Sequence, residues 1–447
     1  MKPYKVLVVD DSAFMRKIIS DLIENDADFQ VTATATNGRE AIEKINELHP
    51  DLVTMDVEMP EMNGLEALKI IMASSPLPVI MLSGINEEGM RETILALESG
   101  AFDFIRKPSI THAQDITKVG ESLREQMRAA MMARQRREAR AAAFKLPEPD
   151  ITPLEATPPV IPRVRPDEPK ADPKPKPSLP NEVTPKVRVK PPVDQVVPKK
   201  TVKPLITTSE PLIEKSKTNS KAANKPVSPK PVPAPKDELS SDPPVPSQRR
   251  NNSSSDLQKL VAVGCSTGGP RALKVLLENI PADFPAPVVI VQHMPPSFTK
   301  SLAQRLNTFS PLEVVEAEQG MILRKGAAYI APGGYHLQVA PSAKGQYAVV
   351  LTKEEARNGH RPSVDVLFES LLPLTSLERH LLLMTGMGSD GARMMKALYD
   401  SGVTSTFAES EETCVVYGMP RSAVELKCVR HVLPLQEIAP KLVQAVK

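Results

Sequence analysis

Three polar residues follow apolar runs in the C-terminal half of the chain, and their types could form a hydrolytic site. Ser266 lies in LVAVGCSTGGPRAL within the pattern Gly-x-Ser-x-Gly, which can expose a serine on a sharp turn between a strand and a helix. His293 follows the apolar run 288–291, and Asp390 follows another in LLLMTGMGSDGA. In a serine hydrolase, histidine takes the serine proton and aspartate fixes the histidine tautomer. Ser266, His293 and Asp390 are therefore the candidate nucleophile, base and orienting acid.

Glycines surround these candidates and let backbone amides approach a ligand closely. Amides near Gly268, Gly269 or Met387 could form the oxyanion hole, and the sequence leaves the choice among them open. The order serine, histidine, aspartate differs from the serine, aspartate, histidine order of α/β-hydrolases. The glycine-serine motif therefore does not predict that fold.

Other histidines and cysteines are weaker candidates. His336 is expected to be structural or to face substrate. Cys265 is expected to point away from Ser266 if the strand continues through both, since side chains alternate along a strand. The sequence suggests no partner for His360 or His380.

A second set of polar residues follows apolar runs near the N-terminus. Asp10 and Asp11 end the first run, Asp56 ends the next clear one, and Ser83 and Lys107 end the last two. In an open parallel sheet, ligands bind outside the carboxyl ends of the strands, so we expect these five side chains to share one crevice.

This second set predicts a phosphorylation site that uses a metal ion. Three neighbouring carboxylates repel one another and suit Mg²⁺, which binds through a few carboxylates and keeps waters. Asp56 is the predicted phosphoryl acceptor. Lys107 and the metal would stabilise the phosphoryl charge, and Ser83 would bond a phosphoryl oxygen.

The elements that must position both sets alternate between strands and helices. The first part has the strand patterns KVLVVDD, DLVTMD, LPVIMLS and AFDFIRKP, a helix SAFMRKIISDLIEN capped by Ser12, and a helix from about Ile116 that continues as ESLREQMRAAMMARQRREARAAAF. The last part has the strand patterns KLVAVGCS, APVVIVQHMP and LLLMTGMGSDG, with helices from Pro270, in SFTKSLAQRLNTF and in ARMMKALYDSG. The fold class is therefore α/β, with two doubly wound parallel-sheet domains.

A proline-rich segment separates the two parts. Of the 46 prolines, 26 lie between Pro147 and Pro246, and no aromatic residue occurs between Phe144 and Phe284. Residues 151–250 carry 19 basic and 11 acidic side chains. Such a segment has too little apolar surface to offset its ordering entropy, so we predict a disordered linker with polyproline II character.

Overall composition favours a cytoplasmic protein. The 447 residues carry 56 basic and 54 acidic side chains, which gives no general preference for nucleic acid. No apolar window is long enough for membrane insertion, and the N-terminus MKPYKVLVVDDS is unlike a signal peptide. The three cysteines do not suggest a disulfide framework.

The N-terminal motifs resemble those of two-component receiver domains. The resemblance covers about residues 3–122 and rests on VLVVDDS, DLVTMDVEMPEMNG, VIMLSG and FDFIRKP. It implies a flavodoxin-like strand order, phosphorylation of Asp56 by a histidine kinase, and Mg²⁺ held by Asp10, Asp11 and Asp56. It also implies that Ser83, Lys107 and Phe104 respond to the phosphate.

The C-terminal motifs resemble the catalytic domain of chemotaxis protein-glutamate methylesterases. The resemblance runs from about Leu257 to the C-terminus and rests on VGCSTGGP, VQHMP, YIAPGGYHL and LLLMTGMGSDGARMMKAL. The family's catalytic residues fall on Ser266, His293 and Asp390, and Thr267 is expected to support the site. Cys414 stands in ETCVVYGMP where serine would be expected, and we interpret it as a small buried side chain.

These resemblances predict four segments: a receiver at 3–122, a helical extension at 123–145, a linker at 146–252 and a methylesterase domain at 255–447. They imply an esterase, held inactive by its unphosphorylated receiver, that demethylates methyl-accepting chemotaxis receptors and deamidates their glutamines. A chemotaxis histidine kinase would donate the phosphoryl group, and the esterase reaction would need no cofactor. One alternative is a response regulator that only binds a partner or DNA, but no helix-turn-helix pattern follows residue 257. The other is a general carboxylesterase.

Overall fold

The computed structural model describes residues 2–84, 86–108, 113–144 and 257–447, which belong to one compact unit. The linker predicted at 146–252 lies outside the described residues. None of the helices in the described ranges has the length and apolar character of a membrane span.

Five parallel strands form the sheet of the first domain. They are β1 (Tyr4–Val9), β2 (Phe29–Ala35), β3 (Leu52–Asp56), β4 (Val79–Ser83) and β5 (Asp103–Arg106). Their spatial order is β2-β1-β3-β4-β5, the flavodoxin-like order that the resemblance to receivers implies. The four strands that the sequence predicts are β1, β3, β4 and β5, and every residue of β3 and β4 is buried.

β2 is the strand of this sheet that the sequence analysis does not name. Its seven residues, FQVTATA, include two threonines and a glutamine, and only Phe29 and Ala35 are buried. It forms one edge of the sheet beside β1. An edge strand is only partly covered by the core, so β2 lacks the continuous apolar run that marks the central strands.

Helices cover the two faces of this sheet. They are α1 (Ala13–Glu24), α2 (Gly38–Leu48), α3 (Gly64–Ser74), α4 (Glu87–Glu98) and α5 (Ala113–Phe144). The Ser12 hydroxyl accepts a hydrogen bond from the Met15 amide, so the predicted N-cap is confirmed. Asn63 and Glu66 form a capping box at the start of α3.

α5 is one continuous helix of 32 residues. It includes both the helix predicted from about Ile116 and the predicted extension 123–145, apart from its last residue. Leu123, Met127 and Ala130 are buried in the cluster that packs α5 against the first sheet. The extension is therefore part of a helix that the receiver core anchors.

Seven parallel strands form the sheet of the second domain, which also contains a separate hairpin. The strands in chain order are β6 (Lys259–Cys265), β7 (Val288–Gln292), β8 (Glu313–Glu316), β9 (Ala327–Ile330), the hairpin pair β10 (His336–Pro341) and β11 (Tyr347–Thr352), then β12 (Glu378–Leu383), β13 (Thr406–Glu409) and β14 (His431–Leu433). The spatial order of the sheet is β14-β13-β12-β6-β7-β9-β8, and β10 pairs antiparallel with β11. The predicted parallel sheet is confirmed, whereas the hairpin was not predicted.

The helices of the second domain connect these parallel strands. They are α6 (Gly269–Glu278), α7 (Phe298–Asn307), α8 (Val364–Ser370), α9 (Ala392–Asp400), α10 (Met419–Glu425) and α11 (Leu435–Val446). Pro270 lies in the first turn of α6, where its missing amide proton costs no hydrogen bond.

Each sheet reverses its direction of winding at one point. In the first sheet this point lies between β1 and β3, and in the second it lies between β6 and β12. A crevice opens at such a switch point outside the carboxyl ends of the strands. Asp10 and Asp56 lie at the first crevice, and Ser266 and Asp390 lie on the loops that flank the second.

Candidate functional site

Three carboxylates meet at the crevice of the first domain, as the sequence predicts. One oxygen from each of Asp10, Asp11 and Asp56 can be chosen so that all three lie within 4.8 Å of one another. The Lys107 ammonium lies 2.8 Å from Asp10 Oδ2 and 2.6 Å from Asp56 Oδ2. Hard oxygen ligands at this separation fit Mg²⁺. Asp11 is exposed, so water molecules could complete the coordination of the metal ion.

Burial and charge shift the titration of this cluster in opposite directions. Burial, with a smaller contribution from the Asp10 charge, raises the pKa of Asp56 to about 6 against the lowering effect of Lys107. Burial lowers the pKa of Lys107, but its contacts with Asp10 and Asp56 outweigh burial and raise it. A divalent cation beside the three acids would relieve their repulsion and favour an ionised Asp56.

Two of the three residues predicted to respond to a phosphate, Ser83 and Phe104, lie on neighbouring strands. Ser83 is buried at the end of β4, and its hydroxyl accepts a 2.7 Å hydrogen bond from Thr93 of α4. Phe104 of β5 packs against Phe298 of α7, with ring centroids 4.6 Å apart. Phe104 therefore connects the receiver sheet to the second domain.

The loop after β6 holds Ser266 through its backbone. The Ser266 amide donates to Thr385 O, and Ser266 O accepts from Gly269 N at 2.8 Å and from Gln292 Nε2 at 2.9 Å. Gly269 is required here because a Cβ at this position would lie 1.9 Å from Gln292 Oε1. Gln292 thus joins the serine loop to the strand end that carries His293.

His293 and Asp390 form a buried pair. His293 Nε2 lies 2.8 Å from Asp390 Oδ2, and the two side chains are 6% and 1% exposed. His293 Nδ1 is buried and has no hydrogen-bond partner among the described residues. Since Asp390 accepts a hydrogen bond from Nε2, the unpartnered Nδ1 is the nitrogen that can take a proton from a nucleophile.

Asp390 is held ionised by a dense set of donors. Its Oδ1 accepts from Asn358 Nδ2 and from the Ser363 hydroxyl, each at 2.9 Å, and its Oδ2 accepts from Val364 N at 2.7 Å. Burial alone raises the pKa of Asp390, but the hydrogen bonds and charge of His293, with those donors, bring the pKa well below its usual range. The acid can therefore orient the histidine without taking its proton.

Free amide donors surround the serine. Among the described residues, the amides of Thr267, Gly268 and Met387 have no acceptor. The Gly269 amide donates to Ser266 O and is already used. Of the predicted oxyanion donors, Gly268 and Met387 therefore stay available, whereas Gly269 cannot bond a developing oxyanion while it keeps this bond. The Thr267 amide is a further candidate that the sequence analysis did not name.

Ser266 and His293 line one cavity of about 480 Å³, and residues of the receiver line its opposite wall. Thr267 Oγ1 donates a hydrogen bond to Asp103 of β5. Burial raises the pKa of Asp103 to about 6, against the lowering effect of this bond. The Ser266 hydroxyl makes no hydrogen bond to any described residue. In this arrangement receiver residues form part of the wall of the cavity that a substrate would have to enter.

Two expectations about histidines need correction. His360 has a partner, since its ring stacks on His293 with centroids 3.7 Å apart. His380 also has one, because its Nδ1 lies 2.6 Å from Ser405 Oγ. His336 is structural, as expected: its ring bonds Glu355 O and the Ser363 amide.

The cysteines behave as small buried side chains. Cys265, Cys414 and Cys428 are free and buried. Burial raises the pKa of the Cys265 thiol far above its ordinary value, which leaves it unreactive next to Ser266. Cys265 Sγ contacts Gln292 Oε1 at 3.1 Å, on the core side of the loop.

Sequence reasoning missed Asn358, His360, Ser363 and Asp103. The first three lie in one stretch, NGHRPS, which has the Asn-Gly signal of a tight turn followed by an N-cap serine before α8. That signal could have marked a turn, but not its contact with Asp390. The sequence around Asp103 indicates only a strand residue. Its partner, Thr267, is seen only once the two domains are packed together.

Fold and sites together define a class of protein: a response regulator whose receiver is joined to an α/β domain with a serine, histidine and aspartate at its switch point. Comparison with known proteins agrees with that class. Residues 6–119 match the response regulator receiver domain, and residues 261–442 match the CheB methylesterase family.

Full-length relatives make the assignment narrower. Proteins named protein-glutamate methylesterase/protein-glutamine glutaminase from Halalkalibacterium halodurans and Bacillus subtilis are 39% and 38% identical to the chain, each over 99% of this chain and 98% of the relative. The chain belongs to this family. A crystal structure of the Thermotoga maritima CheB methylesterase catalytic domain is 42% identical over 42% of this chain and 98% of its own, with a TM-score of 0.41. The response regulator domain of Thermotoga maritima CheB is 50% identical over 29% of this chain and 96% of its own, with a TM-score of 0.27.

Proposed function

We propose that this chain is a phosphorylation-regulated serine esterase that hydrolyses glutamyl methyl esters on methyl-accepting chemotaxis receptors. The same site deamidates receptor glutamines. The observation that carries the proposal is the His293 ring, which bonds Asp390 through Nε2, has an unpartnered Nδ1, and lines the same cavity as Ser266. Family membership supports both activities, since the relatives carry both in their name.

Acylation uses the three residues in turn. Ser266 Oγ attacks the ester carbonyl while His293 Nδ1 takes the hydroxyl proton. Asp390, ionised at neutral pH, stabilises the resulting imidazolium. The oxyanion lies near the free amides of Thr267, Gly268 and Met387. When the tetrahedral intermediate collapses, the carbon–oxygen bond breaks and His293 returns the proton to the leaving methoxide, which departs as methanol.

Deacylation repeats these roles with water as the nucleophile. His293 takes a proton from water, the hydroxide attacks the glutamyl-serine ester, and Ser266 leaves with that proton. The receptor keeps a glutamate. With glutamine as substrate, the first leaving group is ammonia and the acyl-enzyme is the same, so one site performs both reactions.

The first domain supplies the regulation. Asp56 accepts a phosphoryl group from a chemotaxis histidine kinase, with Asp10, Asp11 and Asp56 as the residues that would hold Mg²⁺. The metal would neutralise charge on the transferring phosphoryl group. Lys107 would pair with a phosphoryl oxygen. Ser83 and Phe104 would change position in response to the phosphoryl group, which would alter the contacts between the receiver and the second domain. The reaction would take place in the cytoplasm, where the three thiols stay reduced.

Two other functions find less support. A response regulator that only binds DNA or a partner would not need the His293–Asp390 pair or the free amides beside Ser266. A general carboxylesterase would not need a receiver domain, whereas receiver residues line this cavity.

The proposed function is tested by methanol release from receptor membranes labelled on their methyl esters. We expect the full-length protein to release label slowly, and faster when a small phosphodonor and Mg²⁺ are present. A small ester such as p-nitrophenyl acetate serves as the comparison. Release from the small ester but not from receptors would favour the general carboxylesterase instead.

The ion pair between Arg305 of α7 and Glu98 of α4 gives a further prediction about regulation. Three nitrogen–oxygen distances of 3.0–3.3 Å join them, and the Glu98 side chain is only 8% exposed. Arg305→Glu would place two carboxylates together. A loss of about 1.4 kcal/mol in domain contact is a factor of ten in the equilibrium, so we expect methanol release without phosphodonor to rise roughly tenfold.

The reciprocal variant is the control for that prediction. Combining Arg305→Glu with Glu98→Arg restores opposite charges and should return basal release toward the wild-type rate. Arg324→Glu breaks a similar pair, with Glu313, that lies within the second domain and should leave basal release unchanged. If Arg305→Glu leaves basal release at the wild-type level, this contact does not hold the receiver in place.

A further inference from the structure

A second imidazole lies flat against the proposed base. The rings of His293 and His360 are 3.7 Å apart at their centroids and nearly parallel, with 7° between their planes. His360 also lines the cavity that contains Ser266. The stack therefore covers one face of His293 within the site itself.

A tight turn positions His360 beside His293. Arg357 and His360 exchange backbone hydrogen bonds at 2.9 and 3.0 Å, and the two residues between them, Asn358 and Gly359, have φ of +53° and +81°. Positive φ at both central positions is the geometry of a type I′ turn, for which Asn-Gly is the preferred pair. The same turn presents Asn358 to Asp390, so it contacts both the base and its orienting acid.

The His360 ring is a neutral partner in the stack. Burial and, to a smaller extent, the nearby His293 together lower its pKa to about 4, against the opposite effect of Asp390. Its ring nitrogens make no hydrogen bonds to the described residues. A neutral ring can lie on the face of His293 in both protonation states of that base without adding a positive charge.

His293 needs such a restraint. Among the residues that the structure describes, its side chain makes one hydrogen bond, from Nε2 to Asp390, which fixes one atom but leaves the ring free to rotate about that contact. Rotation would change the direction in which Nδ1 points. A parallel ring at van der Waals distance fixes the plane that the hydrogen bond leaves undetermined.

We propose that His360 is a positioning residue, whose stacked ring holds His293 so that Nε2 meets Asp390 while Nδ1 faces Ser266. This rests on the proposed function, since it assigns a role around the same base. His360 donates no proton in the reaction. It acts through the flat shape of its ring, so an aromatic replacement without ionisable nitrogens should hold His293 equally well.

The test compares His360→Phe with His360→Leu in the full chain, activated by phosphodonor. Small displacements of reacting groups cost up to about a hundredfold in rate, so we expect His360→Leu to lower kcat 10- to 100-fold with KM within about threefold. His360→Phe keeps a flat ring and should stay within about fivefold of the wild-type kcat. Midpoints of thermal unfolding establish that both variants are folded.

His380→Leu is the matched control. His380 is also buried, but it bonds Ser405 and lies in the first half of β12, whereas the catalytic loop follows the last residue of that strand, so kcat should be preserved. An equal loss in His360→Phe and His360→Leu would overturn the proposal, because the ring nitrogens rather than the stack would then matter. Wild-type kcat in both variants would overturn it as well.

The design separates this proposal from the proposed function. If the wild-type protein releases no methanol from receptor membranes, the esterase assignment fails. If it releases methanol, and Ser266→Ala does not, the assignment stands and the His360 variants alone decide the role of the stack.

Discussion

Replacing Ser266 with alanine is expected to abolish methanol release from methyl-labelled receptors while the protein stays folded. The serine oxygen is the atom that forms the acyl-enzyme, and in triad enzymes the loss of the nucleophile alone costs about a millionfold in kcat. Ser266 is held by backbone contacts to Thr385, Gly269 and Gln292, none of which uses the hydroxyl. The alanine variant therefore removes the chemistry without removing the contacts that shape the loop.

The other two triad positions should lose activity in a graded way. His293→Gln removes the base and should cost several orders of magnitude in kcat. Asp390→Asn should be less severe, because aspartate orients the histidine and stabilises the imidazolium without reacting. Asp400→Asn, on the exposed end of α9, is a matched control that should not change the rate. Retention of more than a tenth of the activity by Ser266→Ala would show that another group is the nucleophile.

Much of both sites could be predicted because strand ends are readable in an α/β sequence. A buried parallel strand leaves an apolar run, and the polar residue that ends it must lie at the carboxyl edge. Asp10, Asp56, Ser266 and His293 were all chosen as candidates in this way, and the structure places them at the two crevices. Asp390 was found because its glycine-rich loop follows the strand run of β12.

The rest depends on contacts between segments that are distant in sequence. The residues around His360 in the sequence do not indicate that its turn packs against His293. The hairpin that precedes this turn was not predicted either. Asp103 bonds Thr267 across the two domains, 164 positions apart in the chain. Such partners are set by packing rather than by periodicity, so a single sequence does not reveal them.

Strand β5 connects the two sites physically. Lys107, which follows it, contacts Asp10 and Asp56, while Phe104 and Asp103 on the same strand contact Phe298 and Thr267 of the second domain. A change in the Lys107 contacts is therefore three or four residues from the contacts that wall the cavity. Phosphorylation of Asp56 could therefore alter the contacts at the esterase cavity through β5 alone, because residues of both sites contact this strand.

Asp56→Asn is expected to remove the response to phosphodonor while it leaves basal methanol release within about twofold of wild type. The amide cannot accept a phosphoryl group, so the Lys107 contacts stay as they are and the receiver keeps its cover over Ser266. Wild-type release should rise several-fold or more on addition of phosphodonor and Mg²⁺, and the variant should show no rise at all. Asp28→Asn, an exposed carboxyl of the same domain, should respond like wild type. Initial rates are compared with and without phosphodonor for all three proteins. A normal rise in Asp56→Asn would identify a different acceptor, with Asp10 and Asp11, whose carboxylates share the crevice, as the next positions to replace.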